Sequence, residues 1–442
     1  MSICMRWMIP AALLAGAMKV ESSEINVPAL IHQGPTAEGG ASPAPTQSRV
    51  VYGPPVRARF ETELITDTAG YKKTGGQGRT SWGYNHSNIV RHGKEVYALT
   101  WRDDLSLVIY RRVKPGEWEA SPPLPEAVQS GVLMVDSKGR VHVIGGEGAS
   151  YHAVFDPPGQ VQKFTVQRLA KADTRFGASI AHNDDIFVAG GYPGMSWYVL
   201  SAQDGWKPVQ QGRLPHPTWR AYYFAAFDGK AAQTYCTNIQ HVEGVGYQTL
   251  WTYYYYNPNL AEKPDDWRMT VLSDLSDTFD GKTARGNTED EEMMVDRRGR
   301  VHFLTLVNRQ PGKGIWPSGD QDRANDTLYH TVGPPGGPFK QYLLGNFSRG
   351  RLYQSKDGKI HYILERGEWF NFDLYYAVGE ENRFDRISEP VKLETPSKID
   401  HIFVNTTRAG GTPTDGIDCT FTGPYPGQTN RVWYGLLTPE RR

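Results

Sequence analysis

Residues 132–146 have the sequence VLMVDSKGRVHVIGG, a hydrophobic strand followed by a polar turn that ends in Gly and a second strand of the form Gly-basic-apolar-His-apolar. Two clear copies follow, EMMVDRRGRVHFLTL at residues 292–306 and LYQSKDGKIHYILE at residues 352–365. Weaker copies occupy residues 87–101, 177–191, 223–236 and 401–421. The repeat therefore predicts seven β-hairpins.

The spacing of these hairpins indicates how they pack. The first four turns are about 46 residues apart and the later ones up to roughly 70, which fits the ~40–50-residue period of propeller blades with loop insertions. Antiparallel units that cannot cover their own faces are stable when copies pack against one another, and radial closure leaves few exposed strand edges. The 47 Gly, 30 Pro and 24 Tyr are typical of short strands with tight turns. We therefore predict an all-β fold, a seven-bladed β-propeller over residues 50–442.

The first 49 residues are predicted to lie outside the propeller. Arg6 precedes a short apolar run, and the small residues at 15–17 (Ala-Gly-Ala) have the form of a signal-peptidase site. Residues 1–17 are therefore interpreted as a signal peptide and residues 18–49, rich in Pro, Gly, Ser, Ala and Thr, as a flexible linker. An N-terminal helix packed on the domain is the alternative. The apolar run is too short to span a bilayer, and the expected location is secreted or periplasmic.

Charge and cysteine content indicate which partners, disulfides and metal ions to expect. Because 48 basic residues balance 48 acidic ones, nothing favours a nucleic acid or a membrane surface, and we expect a monomer. Cys236 and Cys419 fall on hairpins of different blades, too far apart for a disulfide, which predicts two separate buried thiols. No cofactor is required by any motif. The acidic run at residues 289–292, with Asp277 and Asp280, could hold a structural calcium ion, and no Cys/His set predicts zinc.

Propeller geometry confines candidate chemistry to one face, where each inner strand begins and the next strand ends. Arg175, Arg220 and Arg349 stand before or at the start of inner strands, and Tyr192 stands at the end of a second strand. Arginine pairs with a carboxylate through two parallel hydrogen bonds, so this face suits an acidic ligand. An ion pair between blades is the alternative role for each Arg.

Histidine and aromatic residues add further candidates. His142, His302 and His361 share one position of the repeat, which favours a structural role, whereas His86 and His152 do not follow the repeat and could move protons. Either Tyr222 or Tyr223 should face the channel, because side chains alternate along a strand; Tyr223 is the candidate. The remaining candidates are predicted substrate contacts: Asn88, Trp101, Trp197 and Trp219.

The sequence resembles the exported propeller polysaccharide lyases of the ulvan-lyase type, related to neuraminidase-repeat propellers. The resemblance depends on Asn-His-Ser-Asn at residues 85–88, on the V-D-x-x-G-R-V-H repeats at Val135 and Val295, and on the loop around His152. It implies β-elimination at a uronic acid, with an Arg that neutralises the carboxylate, His and Tyr side chains that handle protons, and in some members a structural cation. The family's His-Asn-x-Pro pattern is replaced here by Asn-His-Ser-Asn.

The leading hypothesis is therefore an exported polysaccharide lyase that acts on an anionic, uronate-containing polysaccharide. Arg220 or Arg175 would hold the carboxylate, because the C5 proton becomes removable when the developing charge is stabilised. The base would be His86 or Tyr223, and the acid His152 or Tyr192. Two alternatives stay open, a sialidase-like glycoside hydrolase and a non-catalytic carbohydrate-binding propeller. The Ser-x-Asp-x-Gly-x-Thr-Trp boxes of sialidases are absent from the sequence.

Overall fold

A computed structural model gives the structure of the chain. It describes residues 45–68, 85–104, 106–125, 131–146, 149–169, 176–190, 196–215, 220–242, 246–278, 286–309, 323–368, 371–423 and 431–440. Three strands precede the first blade, β1 (Thr46–Arg49), β2 (Val51–Gly53) and β3 (Ala58–Asp67). No helix in these ranges has the length and apolarity that crossing a bilayer requires.

The next sixteen strands form four blades of four antiparallel strands each. Blade 1 contains β4 (Ile89–His92), β5 (Glu95–Trp101), β6 (Leu107–Lys114) and β7 (Glu117–Ala120). Blade 2 contains β8 (Val132–Val135), β9 (Val141–Gly145), β10 (Tyr151–Phe155) and β11 (Phe164–Arg168). Blade 3 contains β12 (Phe176–Ile180), β13 (Ile186–Gly190), β14 (Ser196–Ser201) and β15 (Lys207–Arg213). Blade 4 contains β16 (Arg220–Phe227), β17 (Ala232–Val242), β18 (Gly246–Asn257) and β19 (Arg268–Asp274).

Three further blades complete the ring. Blade 5 contains β20 (Asn287–Val295), β21 (Val301–Asn308), β22 (Thr327–Gly333) and β23 (Lys340–Gly345). Blade 6 contains β24 (Arg349–Gln354), β25 (Ile360–Glu368), β26 (Asn371–Gly379), β27 (Arg386–Ser388) and β28 (Val391–Lys392). Blade 7 contains β29 (Ile402–Val404), β30 (Ile417–Thr422) and β31 (Arg431–Pro439). Short 3-10 helices span Ser276–Thr278, Arg323–Asn325 and Thr407–Ala409.

The predicted seven-bladed β-propeller is confirmed, and each predicted hairpin forms the two inner strands of one blade. The turn of the repeat has a simple physical basis in blade 2. The Asp136 carboxylate accepts hydrogen bonds from the backbone N–H groups of Lys138 and Arg140, and Gly139 adopts a φ of 81° that favours glycine. Asp296 and Gly299 repeat the same turn in blade 5.

The N-terminal strands close the ring and cover strand edges. Strand β3 pairs antiparallel with β31 and supplies the outermost strand of blade 7. Strands β1 and β2 pair in parallel with β23 and β27, so they extend blades 5 and 6. Pairing of this kind protects edges that would otherwise be open to association. The first described strand thus begins at Thr46, four residues before the predicted start of the propeller at Val50.

A short loop between β29 and β30 enters the central channel, and we call residues 405–411 the plug. Its 3-10 helix lies against the inner strands of blades 2, 3, 4 and 5 at the hairpin end. The Arg408 guanidinium donates to the carbonyl oxygens of Met293 (2.6 Å) and Ala225 (3.2 Å) and pairs with the Glu292 carboxylate at 3.1 Å. A Cβ at Gly410 would collide with the Val135 carbonyl oxygen, so this position requires glycine.

Blades 2 and 5 carry the same buried histidine cluster. His142 Nδ1 lies 3.0 Å from His152 Nε2, and His302 Nδ1 lies 2.9 Å from His330 Nε2. In each pair the rings stack with centroids 5.2 Å apart. An aromatic ring from the next blade covers each pair, Trp206 in one case and Phe384 in the other. The structural role predicted for His142 and His302 therefore extends to their partners.

These buried histidines contribute to a loss of stability in acid. Burial lowers the pKa of His152 and of His330 well below its usual value. Below a pH of about 6.5 these two side chains are therefore protonated in the unfolded chain but remain neutral in the folded protein. The free energy of unfolding should then fall by up to ~1.4 kcal/mol per pH unit for each histidine. Urea unfolding at neutral pH and in mild acid measures this slope.

Matched variants identify the histidines responsible. The His152→Gln variant should have a shallower acid slope, by about one proton, whereas His182→Gln, which changes an exposed histidine, should keep the slope of the unchanged protein. An acid slope of His152→Gln equal to that of the unchanged protein would contradict the expectation.

Candidate functional site at the channel mouth

The mouth is the end of the channel at which the seven inner strands begin. Here the segment before β4 reaches two other blades. The Asn85 side-chain amide donates to the carbonyl oxygens of Phe176 (3.0 Å) and Tyr223 (2.6 Å), and His86 Nε2 lies 2.7 Å from the Phe176 oxygen. The starts of β4, β12 and β16 therefore converge, as the sequence predicted for the residues that precede them.

The contact of His86 fixes the position of its ring proton. A carbonyl oxygen only accepts hydrogen bonds, so Nε2 must carry the hydrogen that joins it to Phe176. In the neutral ring the basic nitrogen is then Nδ1. The ring is 7% exposed and packs on the Phe176 ring with centroids 4.9 Å apart. His86 is thus held in one tautomer and one orientation.

Blade 5 supplies an acidic wall through a β-bulge. Asp290 pairs with Thr305 and Glu292 pairs with Leu304, so Glu291 is an extra residue in β20. A bulge redirects side chains next to it. As a result, Glu289 and Glu291 both lie near Arg349, at 3.7 Å and 3.8 Å from its guanidinium nitrogens.

Two arginines of β24 enclose His401. Its Nε2 lies 3.2 Å from Arg349 Nη1 and 2.8 Å from Arg351 Nη2. A guanidinium only donates, so this Nε2 is the unprotonated nitrogen, and Nδ1 faces the Glu365 carboxylate at 3.4 Å. Burial, and then the charges of the two arginines, hold the pKa of His401 well below its usual range. His401 is consequently neutral.

Two carboxyls of this cluster hold protons near neutral pH. Burial raises the pKa of Glu291 to about 8 and that of Glu365 to about 7, although Arg349 and Arg351 act in the opposite direction. Both side chains are fully buried, and within the described ranges neither oxygen of Glu291 has a hydrogen-bond partner. Raised carboxyl pKa values of this kind are typical of functional sites.

Three of the predicted site residues lie at the mouth, and all three are buried. They are His86, Asn88 and Arg349. Arg220 begins β16 at this face, and its side chain lies outside the described part of the structure. Arg175, Tyr192 and Trp219 lie outside the described residues, so their roles stay predictions.

Four other predicted residues pack inside blades. His152 belongs to the histidine cluster of blade 2, where it matches His330 of blade 5, so it is a repeat position after all. Strand alternation turns the fully buried Tyr223 toward Cys236, whereas Tyr222 is partly exposed.

Trp101 and Trp197, two of the predicted substrate contacts, are buried and cannot stack on a sugar. Trp101 is 2% exposed and lies in the core that blade 1 shares with blade 2. Trp197 is fully buried inside β14, where its ring centroid lies 6.2 Å from that of Trp267. Trp197 is the second residue of this strand, which begins at Ser196.

Arg351 and Glu365 were not among the site residues predicted from the sequence. A signal for Arg351 was available, because it stands two residues after Arg349 and side chains at that spacing share a face of a strand. Glu365 gave no signal, because a charged residue directly after the apolar run at residues 362–364 is also what a strand returning to solvent would show.

The structure also bears on the two predicted thiols and on the predicted calcium site. Cys236 and Cys419 are both buried thiols that form no disulfide, as predicted. Within the described ranges no three His, Cys, Asp or Glu side chains come together as a metal-ligand set. Asp280 lies outside those ranges, and the calcium ion stays a prediction.

Comparison with known proteins agrees with the propeller fold. Neither a family model nor a curated protein matches the chain. Among solved structures, a PL25 ulvan lyase is 13% identical and has a TM-score of 0.57, with 86% of this chain and 95% of that chain covered. The same type of enzyme bound to -[GlcA(1-4)Rha3S]- gives a TM-score of 0.56 at the same identity and coverage. A streptogramin B lyase is 12% identical with a TM-score of 0.48, over 86% of this chain and 98% of that chain. At such identities the likeness establishes the fold.

Proposed function

We propose that the protein is a polysaccharide lyase that cleaves a uronate-containing glycan by β-elimination. The observation that supports this most is the position of His86, which is held at the mouth with its proton on Nε2 and its basic nitrogen at Nδ1. The likeness in fold to an ulvan lyase bound to a glucuronate-containing oligosaccharide supports the same chemistry. The predicted export of the chain fits an anionic polysaccharide as substrate.

The reaction requires a base on one side of the sugar and a positive charge at its carboxylate. In the proposed mechanism His86 Nδ1 takes the C5 proton, the electron pair forms the C4–C5 double bond, and the C4–O bond breaks. The leaving oxygen then receives a proton. Neutralising the uronate carboxylate stabilises the negative charge that develops on it, which lowers the barrier to removal of the C5 proton.

The carboxylate clamp is assigned to the arginines of the mouth. Arg349 lies between Glu289 and Glu291. Because the pKa of Glu291 is raised to about 8, this carboxyl is mostly protonated at neutral pH. Arg175 and Arg220, directly before β12 and at the start of β16, are the alternative clamps.

The acid is assigned to a tyrosine. His152 and Tyr223 are unsuitable because they are buried in blade cores. Tyr222 is the third residue of β16, which begins at the mouth, and its side chain is partly exposed. Tyr222 or Tyr192 would protonate the leaving oxygen.

A panel of uronic polymers tests the proposal. On mixing with ulvan, alginate, polygalacturonate or a glycosaminoglycan, the protein should produce a rise in absorbance at the unsaturated-uronate band with at least one of them. Heat-denatured protein is the control. A panel without any such rise would refute the lyase proposal.

A glycoside hydrolase is the second candidate, and the partly exposed Glu289 carboxyl at the mouth favours it, since such enzymes use a carboxyl group as the general acid. New reducing ends without a double bond would identify this activity.

A further inference from the structure

A cavity opens at the end of the channel opposite the mouth, where the turns of the inner hairpins lie. Its volume is about 730 Å³, and it lies among the turns of blades 3 to 6 with the plug as its floor. Sites for small ligands usually measure roughly 300–1,000 Å³. The cavity is therefore large enough to hold an organic ligand, and the proposed lyase site does not use it.

Two buried side chains present unused polar groups to this cavity. Gln233 is 6% exposed, and its Oε1 accepts the Tyr254 hydroxyl at 2.7 Å, while its Nε2 has no hydrogen-bond partner among the described residues. Thr406 is 9% exposed and precedes the 3-10 helix of the plug, yet its hydroxyl does not cap that helix. Neither atom is sealed from solvent, so each can bind a water or a ligand that enters the cavity.

Two other polar residues of the cavity lining, Ser179 and Asn405, differ from Gln233 and Thr406 because their side chains form hydrogen bonds within the protein. The Ser179 hydroxyl donates to the Arg408 carbonyl oxygen at 2.9 Å. The Asn405 amide oxygen accepts the Arg91 N–H at 3.0 Å, and its nitrogen donates to the Thr412 oxygen. Gln233 and Thr406 thus stand apart from the rest of the lining.

Aromatic rings and balanced charges complete the lining. Phe227, Tyr256 and Tyr353 contribute rings to the wall, a feature that suits the apolar face of a sugar. Asp228 and Lys356 of the lining carry opposite charges, and Arg297 pairs with Glu381 at 2.8 Å. The other two charged lining residues are also paired, Asp296 with Arg300 at 2.7 Å and Arg408 with Glu292 at 3.1 Å. A cavity with neutral donors inside and no net charge at its rim favours an uncharged ligand.

We propose that this cavity is a non-catalytic binding site for a neutral pyranose, as a monosaccharide or at the end of a short oligosaccharide. The Gln233 amide would donate to a sugar oxygen, and the Thr406 hydroxyl would exchange a hydrogen bond with a sugar hydroxyl. One of the aromatic rings would cover the C–H face of the ring. The proposal is independent of the lyase activity, because it involves the other end of the channel.

Saturation-transfer NMR with a panel of neutral sugars tests the proposal. Glucose, galactose, mannose, rhamnose, lactose and cellobiose at millimolar concentration should include at least one that binds the full chain. Thr406→Val keeps the shape and removes the hydroxyl, so it should weaken that sugar by about 3–10-fold. Thr407→Trp places an indole in the cavity from an exposed position and should abolish binding.

The controls change an exposed threonine far from the cavity. Thr165 lies on the outermost strand of blade 2, and Thr165→Val and Thr165→Trp should bind the sugar as the unchanged protein does. Absence of binding for the whole panel would overturn the proposal. Binding that survives Thr407→Trp would overturn it as well, since the sugar would then occupy the mouth or another surface.

Discussion

Replacing Arg408 by Met is expected to lower the free energy of unfolding by roughly 3–5 kcal/mol, the usual cost of removing one partner from a buried ion pair. The guanidinium is 6% exposed and joins the plug to blades 4 and 5 through Ala225, Met293 and Glu292. Methionine fills similar space but donates nothing, so two carbonyl oxygens and a carboxylate lose their donor. Urea unfolding followed by tryptophan fluorescence measures the difference.

Two further variants separate the causes of this loss. Arg431→Met removes an exposed arginine whose pair with Asp67 spans 3.4 Å, and it should cost about 0–1 kcal/mol. Adding Glu292→Gln to Arg408→Met should recover part of the stability, because the carboxylate no longer remains charged without its partner. If Arg408→Met were no more costly than Arg431→Met, the plug would not be the anchor of the inner strands.

The blades could be predicted from the sequence because their information is local. Each hairpin carries its own turn signal, and in blades 2 and 5 an Asp and a Gly close the turn within a few residues. The strands on either side are apolar because both faces of a blade pack against neighbours. Because the hairpin pattern occurs seven times, it also predicts the number of blades in the ring.

Features that depend on distant contacts could not be predicted. Strand β1 has four exposed residues, and nothing in its composition indicates that it pairs with β23 almost three hundred residues away. The plug could not be predicted either, because the contacts of Arg408 form only once four inner strands surround the 3-10 helix of the plug. His152 misled the sequence analysis because its partner His142 is ten residues away on the neighbouring strand.

The site at the mouth could be predicted only in part. His86 and Arg349 were found because they stand just before or at the start of inner strands, and propeller geometry brings those positions together. Whether a side chain then points along the channel or into a blade depends on a one-residue register, as Tyr222 and Tyr223 show. The bulge at Glu291 shifts that register inside β20.

The His86→Gln variant is expected to lose roughly 10²–10⁴-fold in the turnover of the glycan that the unchanged protein cleaves. Glutamine ends in an amide N–H that can donate to the Phe176 oxygen in place of Nε2, but it has no basic nitrogen in place of Nδ1. The substitution thus preserves the position of the side chain and removes the base. The rate of double-bond formation at saturating substrate measures the effect, and the substrate concentration at half-maximal rate should change little.

Comparison with His86→Ala shows whether the loss is chemical or structural. Alanine removes both the base and the contact with Phe176, so it should reduce turnover as much as glutamine does and should also lower the free energy of unfolding. His182→Gln, at an exposed histidine, should leave turnover and stability unchanged. If His86→Gln kept more than a tenth of the activity while His86→Ala lost it, the histidine would be positioning the mouth, and the base would have to be sought among other residues.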